Sequence, residues 1–173
     1  MNSIVFTLMG LVLAAIGVTV GVDQYQKAER SQNIQQVVAE VAAIIGDTKA
    51  TYGQYGYKNL TNTAALTSGV IPANRLNSST SGTSTTVTAT SKFGGTISLQ
   101  QHASIANAAE LTYEGVPADL CVAIVTATEG LARRVDVASV TPKAWDSDIA
   151  LATLTSGCTN SASVTVKWTI GRV

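Results

Sequence analysis

Polar and apolar positions divide the chain into two regions with different periods. Residues Ile4 to Val22 (IVFTLMGLVLAAIGVTVGV) are 19 positions without an ionisable side chain. As a helix this run spans about 28 Å, close to the roughly 30 Å hydrocarbon thickness of a bilayer. Beyond Asp23 the pattern turns one-sided. Ile34, Val37, Val38, Val41, Ile44, Ile45 and Thr48 recur at spacings of three, four and seven, and Lys27, Arg30, Gln36, Glu40 and Asp47 lie opposite them. No proline occurs from Met1 to Ile71 and no turn cluster before Gly53. The pattern therefore predicts one helix from about Ser3 to Tyr52, on the order of 75 Å long. A globule of this size cannot hide such a helix, so its apolar half must lie in lipid, in a partner or among copies of itself.

After Gly53 and Gly56 the chain becomes rich in Asn and Thr, with a short helical pattern over 62–67 and a turn at Ile71-Pro72. From Asn77 to Ser91, 11 of 15 residues are Ser or Thr. This reads as a loop that passes into an exposed strand at Thr85-Thr86-Val87-Thr88-Ala89-Thr90, where β-branched residues dominate. Further strands are predicted from Phe93 to Leu99, more weakly from Glu110 to Glu114, and from Arg133 to Val140 with Val135 and Val137 inward. The last strand has the clearest signal: Val164, Val166, Trp168 and Ile170 alternate without a break with Thr165, Lys167 and Thr169. Two short helices fall between strands, one over 117–128 with Pro117 in its first turn and one over 147–154 capped by Asp146 or Ser147. The expected architecture is a long helix against an antiparallel sheet.

Composition shifts the picture toward an outward-facing polymer or anchor. At 173 residues the chain holds one domain and an appended element. Charged residues make up only 13%, about half the globular norm of roughly 25%, while 23 Thr and 15 Ser supply neutral hydroxyls instead. Eleven basic and eleven acidic side chains cancel. A nucleic-acid binder would need a positive field that this chain lacks, and zero net charge favours self-association. A cleavable secretory signal would carry a basic residue before the apolar run and a small-x-small site after it. Met1-Asn2-Ser3 and Asp23-Gln24-Tyr25 offer neither, which leaves a membrane anchor on a soluble domain as the plainest reading of 4–22.

Candidate chemistry is sparse. His102 is the sole histidine, so a His-based triad or metal site would lack partners, and a structural or exposed imidazole is expected. Gly94-Gly95 has no following Lys and reads as a turn. Asp146 and Asp148 read as helix caps. Arg133 and Arg134 read as solvated strand residues, and Trp145, Trp168, Tyr52, Tyr55 and Tyr57 as core or seam. Asn59-Leu60-Thr61 and Asn77-Ser78-Ser79 match the glycosylation sequon, a pattern that arises often by chance in so hydroxyl-rich a chain. Cys121 and Cys158 are the only cysteines. In an extracytoplasmic chain they predict a bridge that staples the last strand to the sheet, and in a cytosolic chain two buried thiols. No catalytic, cofactor-binding or metal-binding residue is expected, and no enzyme activity.

Several local pieces occur in a distinctive order: Ser31-Gln32-Asn33 in mid-helix, Gly69-Val70-Ile71-Pro72 in the connection, Phe93-Gly94-Gly95 opening a strand, Asp119-Leu120-Cys121 on a helix, and Gly157-Cys158 before the last strand. Together with the uncharged first helix they resemble type IV pilins, specifically the type IVb class of bundle-forming and conjugative thin-pilus pilins, over the whole chain. The resemblance implies an α+β pilin fold: a long N-terminal helix packed on an antiparallel sheet, with a C-terminal region bounded by Cys121 and Cys158. It implies an apolar transmembrane or filament-core half at 1–22, an amphipathic half at 23–53 and a globular head at 54–173, with a connecting loop at 54–84 and a disulfide region at 121–158. It implies a major structural subunit that polymerises into a helical homo-oligomeric surface fibre for attachment, aggregation or mating contact. A prepilin peptidase would remove a short leader and leave Met1 as the N-methylated first residue. Ile4, Val5, Phe6, Leu8, Leu11, Leu13, Ile16 and Val20 would pack the filament core, and Gly17 and Gly21 would be its loosening points. Inner-membrane assembly machinery and a minor pilin or tip adhesin are the implied partners, with the chain in the inner membrane before assembly and extracellular afterwards. The alternatives are a membrane-anchored adhesin that does not polymerise and a type II secretion pseudopilin. One departure stands out: the family usually carries Glu at the fifth mature position to meet a neighbour's terminal amine, and this chain has Val5.

Overall fold

The computed structural model describes the backbone of residues 2–81 and 84–171, and the side chains of 25–79 and 85–171. The chain forms two compact units, 1–36 and 37–173, with the boundary inside the amphipathic stretch. Helix α1 runs Asn2–Tyr52 and passes into a 3-10 turn, Gly53–Tyr55. In the second unit Val37, Val41, Ile44, Ile45 and Thr48 of α1 are buried, as their spacing predicts.

Helix α2, Asn62–Thr67, starts where the Thr61 side chain accepts the Ala64 N–H, an N-cap that satisfies one of the first turn's orphan donors. Seven strands follow: β1 Leu76–Ser81, β2 Ser84–Thr90, β3 Thr96–Gln101, β4 Ala108–Pro117, β5 Arg134–Val137, β6 Val140–Lys143 and β7 Ser163–Gly171. They make one antiparallel sheet in the order β1-β2-β3-β4-β7-β5-β6. Helices α3, Ala118–Thr128, and α4, Leu151–Thr159, lie between strands in sequence. Helix α4 packs against β6 and α3.

Registry makes the sheet one-sided. Ile97 pairs with Tyr113, Leu99 with Leu111, Leu111 with Trp168, and Trp168 with Val135, so these buried side chains share one face. Two of them reach helices: the Tyr113 hydroxyl donates to Glu40 of α1, and Trp168 Nε1 donates to Thr128 Oγ1 of α3 at 2.9 Å. The helices α1 and α3 therefore cover the apolar face. Glu110, Thr112, Arg134, Asp136 and Lys167 alternate with these residues and form the polar face.

Four local expectations need correction. The hydroxyl-rich stretch from Asn77, read as a loop up to Thr85, is strand over its described residues 77–81 and from Ser84 onward. Leu76 pairs with Ala89 and Ser78 with Val87, so β1 and β2 are a hairpin inside the region read as a connection. The strand read from Arg133 to Val140 is two strands, because the chain turns at Ala138 and Ser139 to pair Val137 with Val140. Ala138 takes a positive φ of 51°, as tight hairpin turns require. The weak strand over 110–114 is ten residues long, with a register shift between Tyr113 and Val116. The fourth helix begins at Leu151, not Ser147, because 146–150 are held otherwise: Asp146 pairs with Arg133, Ile149 N–H donates to Glu129 Oε1, and Ala150 N–H donates to the Pro142 carbonyl. Neither Asp146 nor Ser147 caps it.

Candidate functional site

Two junctions stand out: one holds the long helix to the sheet, and the other joins the two helices of the C-terminal region. The first centres on Glu40, whose side chain is only 8% exposed. Arg75, in the 3-10 turn Ala73–Arg75 before β1, donates to it twice, from Nε at 2.8 Å and Nη2 at 2.9 Å. This two-pronged geometry fixes orientation as well as charge, and a buried carboxylate needs both. The Tyr113 hydroxyl adds a third donor at 3.3 Å and accepts the Lys92 backbone N–H at 3.0 Å. Thus α1, the connection before β1, the β2–β3 turn and β4 meet at one carboxylate. Nearby, Lys49 of α1 donates Nζ to the Leu131 carbonyl at 2.9 Å. Burial, and then the Arg133 charge, lower its pKa.

Tyr113 gives this junction a measurable signature. Burial first, and then the Glu40 carboxylate, push the phenol up to about 12, against opposing pulls from the Lys92 N–H and the Arg75 charge. The neutral phenol is the form that the fold favours. Its contribution to stability is complete below the ordinary tyrosine value of about 10 and is lost as pH rises through about 12. In an absorbance titration near 295 nm, Tyr113 should give a late step at about 12, two units above the ordinary tyrosine value of about 10. Tyr113→Phe should abolish that late step. A wild-type curve without it would contradict the buried hydroxyl.

The second junction is the disulfide. Cys121 of α3 and Cys158 of α4, both fully buried, are bonded with their Cα atoms 5.7 Å apart. The bridge was expected to staple the last strand to the sheet. It instead ties two helices together, because Cys158 lies within α4 rather than in the run-up to β7. Gly157, beside it, lets α4 approach β5 and β6: a Cβ there would lie 2.6 Å from Val140 Cγ2.

The remaining sequence candidates are dispersed. Trp168 and Tyr57 are in the core, whereas Tyr55 is 72% exposed, outside the seam expected for it, because it projects from the 3-10 turn that ends α1. Arg133 pairs with Asp146 and stacks over Trp145 at 5.9 Å, and Arg134 pairs with Asp136. Among the described residues no group of His, Cys, Asp and Glu could hold a metal ion, and no helix is long and apolar enough to cross a membrane. Met1, Ile4, Val5, Phe6, Leu8, Leu11, Leu13, Ile16 and Val20 lie outside the residues whose side chains are described. So do Gly17 and Gly21, although the α1 backbone is continuous there. Sequence reasoning missed the Glu40, Arg75 and Tyr113 junction altogether. Its members are 35 and 73 positions apart, so no local spacing marks them.

The long helix, the one-sided antiparallel sheet and the bridged C-terminal helices together form the type IV pilin fold. It is similar to the crystal structure of TcpA, a type IV pilin from Vibrio cholerae El Tor biotype, with a TM-score of 0.54 and 16% identity over 80% of this chain and 98% of that one. It is similar also to the crystal structure of a type IVb pilin from Salmonella typhi, with a TM-score of 0.55 and 15% identity over 76% of this chain and 95% of that one. The family profile described as PilS N terminal matches residues 31–171, and the chain belongs to that family, which places it among the type IVb pilins. No curated protein sequence matches it.

Proposed function

We propose that this chain is the major structural subunit of a type IVb pilus and polymerises through its N-terminal helix into a surface fibre for attachment, aggregation or mating contact. The observation that carries this reading is a pilin head joined to a helix that opens with 19 residues free of ionisable groups. Such a run leaves a bilayer without a large penalty only for surroundings equally apolar, and a bundle of identical helices supplies them. In that bundle Ile4, Val5, Phe6, Leu8, Leu11, Leu13, Ile16 and Val20 pack together. Gly17 and Gly21, each costing on the order of 1 kcal/mol relative to Ala in a helix, are where packing stretches it. Before assembly the chain sits in the inner membrane. A prepilin peptidase exposes Met1 for N-methylation, assembly machinery draws the subunit into the fibre, and minor pilins or a tip adhesin complete it. The reading includes no catalytic role.

The test is electron microscopy of material sheared from cells that express the chain. Fibres labelled by an antibody against the head are expected. Replacing Leu8 and Leu11 with Asp should remove them by placing charges in an apolar bundle. Head protein found only as a membrane-bound monomer would favour an anchored adhesin, and short structures confined to the periplasm a secretion pseudopilin. In the same assay Val5→Glu should not raise fibre yield, because Asn2, Ser3 and Thr7 supply polar partners for the terminal amine. Asn2→Leu with Ser3→Ala should lower it. A strong gain from Val5→Glu would refute this account of the N-terminus.

A further inference from the structure

The polar face of the sheet carries the chain's sole histidine in a position that depends on its charge. His102 follows β3 and opens the loop 103–107 to β4, which its own backbone N–H closes by donating to the Ala108 carbonyl at 2.8 Å. Inside the loop the imidazole Nδ1 accepts two backbone N–H groups, from Ser104 and from Ile105, each at 3.1 Å. Among the described residues these two amides have no other hydrogen-bond acceptor. The ring acts here as an Asn or Asp side chain acts at the start of a turn, by collecting donors two and three residues ahead. There is one difference: a carboxamide oxygen accepts at every pH, whereas a ring nitrogen accepts only while it carries no proton.

We propose that His102 is an acid-released latch: the neutral ring holds the 103–107 loop through Nδ1, and protonation of that nitrogen frees the loop. The geometry defines both states. With Nδ1 accepting, the ring's one proton is on Nε2, which faces Glu110 Oε2 across 3.8 Å. Adding a proton at Nδ1 would set three N–H donors against one another with no acceptor among them. Both loop bonds are lost, while Nε2–H keeps a carboxylate to face.

The surrounding charges do not remove this conflict. Glu110 on β4 is held at its other oxygen by Lys167 Nζ from β7 at 3.2 Å. Arg134 and Asp136 on β5 line the same groove of about 430 Å³ and are paired to each other at 2.8 Å. The two carboxylates and two cations facing the ring therefore offset one another. None of them accepts from Ser104 or Ile105. Ala103, Ser104, Ala106 and Asn107 are exposed, so little apolar burial holds the loop once its two amides are released. The inference stands apart from the proposed function, because it concerns one loop of the head and holds for a monomer or a fibre.

The experiment is amide hydrogen exchange on the 15N-labelled full-length chain in detergent micelles between pH 8 and pH 5, with rates normalised to those of an unstructured peptide. The ring nitrogens are followed in the same samples. Protection at Ser104 and Ile105 should fall at least ~10-fold along the ring's own titration curve, while the amides of β4 and β7 keep theirs. His102→Asn should hold both loop amides at pH 5 as at pH 8, and His102→Leu should leave them unprotected throughout. If His102→Leu does not fold, the wild-type titration and His102→Asn carry the test. A proton on Nδ1 at pH 8 would overturn the proposal. So would ring titration that leaves the two amides within twofold of their starting protection, loss of protection by the whole head at once, or acid release in His102→Asn equal to the wild type.

Discussion

Replacing Cys121 and Cys158 together with alanine should lower the unfolding free energy of the head by about 4 kcal/mol. The bridge closes a loop with a sequence separation of 37, and in the chain-entropy view that closure restricts the unfolded ensemble far more than the folded one. A total stability of 5–15 kcal/mol is usual for such a domain, so a loss of this size removes a large part of it. Alanine isolates the cross-link better than serine. Both sites are fully buried, and each serine hydroxyl would add its own desolvation cost of about 1–3 kcal/mol unless it found a partner. Trp168, buried and bonded to α3, reports the transition by fluorescence in a urea series. The wild type in reductant should approach the alanine pair, and the alanine pair should not respond to reductant at all. Unchanged urea midpoints, or free thiols in freshly purified protein, would contradict the bridge as a stabilising element.

How much of this fold was legible depended on whether a residue's role is local. The β7 pattern from Val164 to Ile170 and the α1 stripe from Val37 to Thr48 each state a period, and burial follows both. β1 states none, because Asn, Ser and Thr stand on both of its faces, and its pairing with β2 makes it a strand. β6 contains Pro142 and only two of its residues pair with β5, so its strand character is conferred by the hairpin turn at Ala138. α4 starts late because Glu129, twenty residues upstream, captures the Ile149 amide. The sites divide in the same way. An even cysteine count suggested the bridge, but its helix-to-helix placement needed the end of α4. Glu40 looked like one polar residue on the outer side of a helix, and only the fold shows that Arg75 and Tyr113 turn it into a junction.

Gly95→Ala should destabilise the head by about 3 kcal/mol or more, whereas Gly94→Ala, one residue earlier, should cost only about 1–2 kcal/mol. The pair appears in the sequence simply as a turn signal, yet the two glycines are needed for different physical reasons. Gly94 adopts a φ of +85°, and nothing lies within 4 Å of a Cβ built on it, so alanine there meets backbone strain alone. At Gly95 the obstacle is steric: a Cβ would lie 2.3 Å from the Glu114 carbonyl oxygen, 2.4 Å from its carbon and 2.8 Å from the Gly115 nitrogen. All three are backbone atoms, so no side chain can swing aside. They belong to the stretch of β4 where the register shifts between Tyr113 and Val116. Ser91 locks the same place: its hydroxyl donates to the Glu114 carbonyl at 2.9 Å and accepts the Gly95 N–H at 3.0 Å. A methyl group at Gly95 must therefore separate β3 from β4 or break the Ser91 bridge. Either change disturbs the neighbouring Lys92 N–H, which holds the Tyr113 hydroxyl beside Glu40. The expected readout is a lower urea midpoint together with earlier ionisation of the Tyr113 phenol in the Gly95 variant, and a small midpoint shift with an unchanged phenol in the Gly94 variant. Equal losses in the two variants would mean that backbone strain, and not the close approach of β3 to β4, makes glycine necessary at this turn.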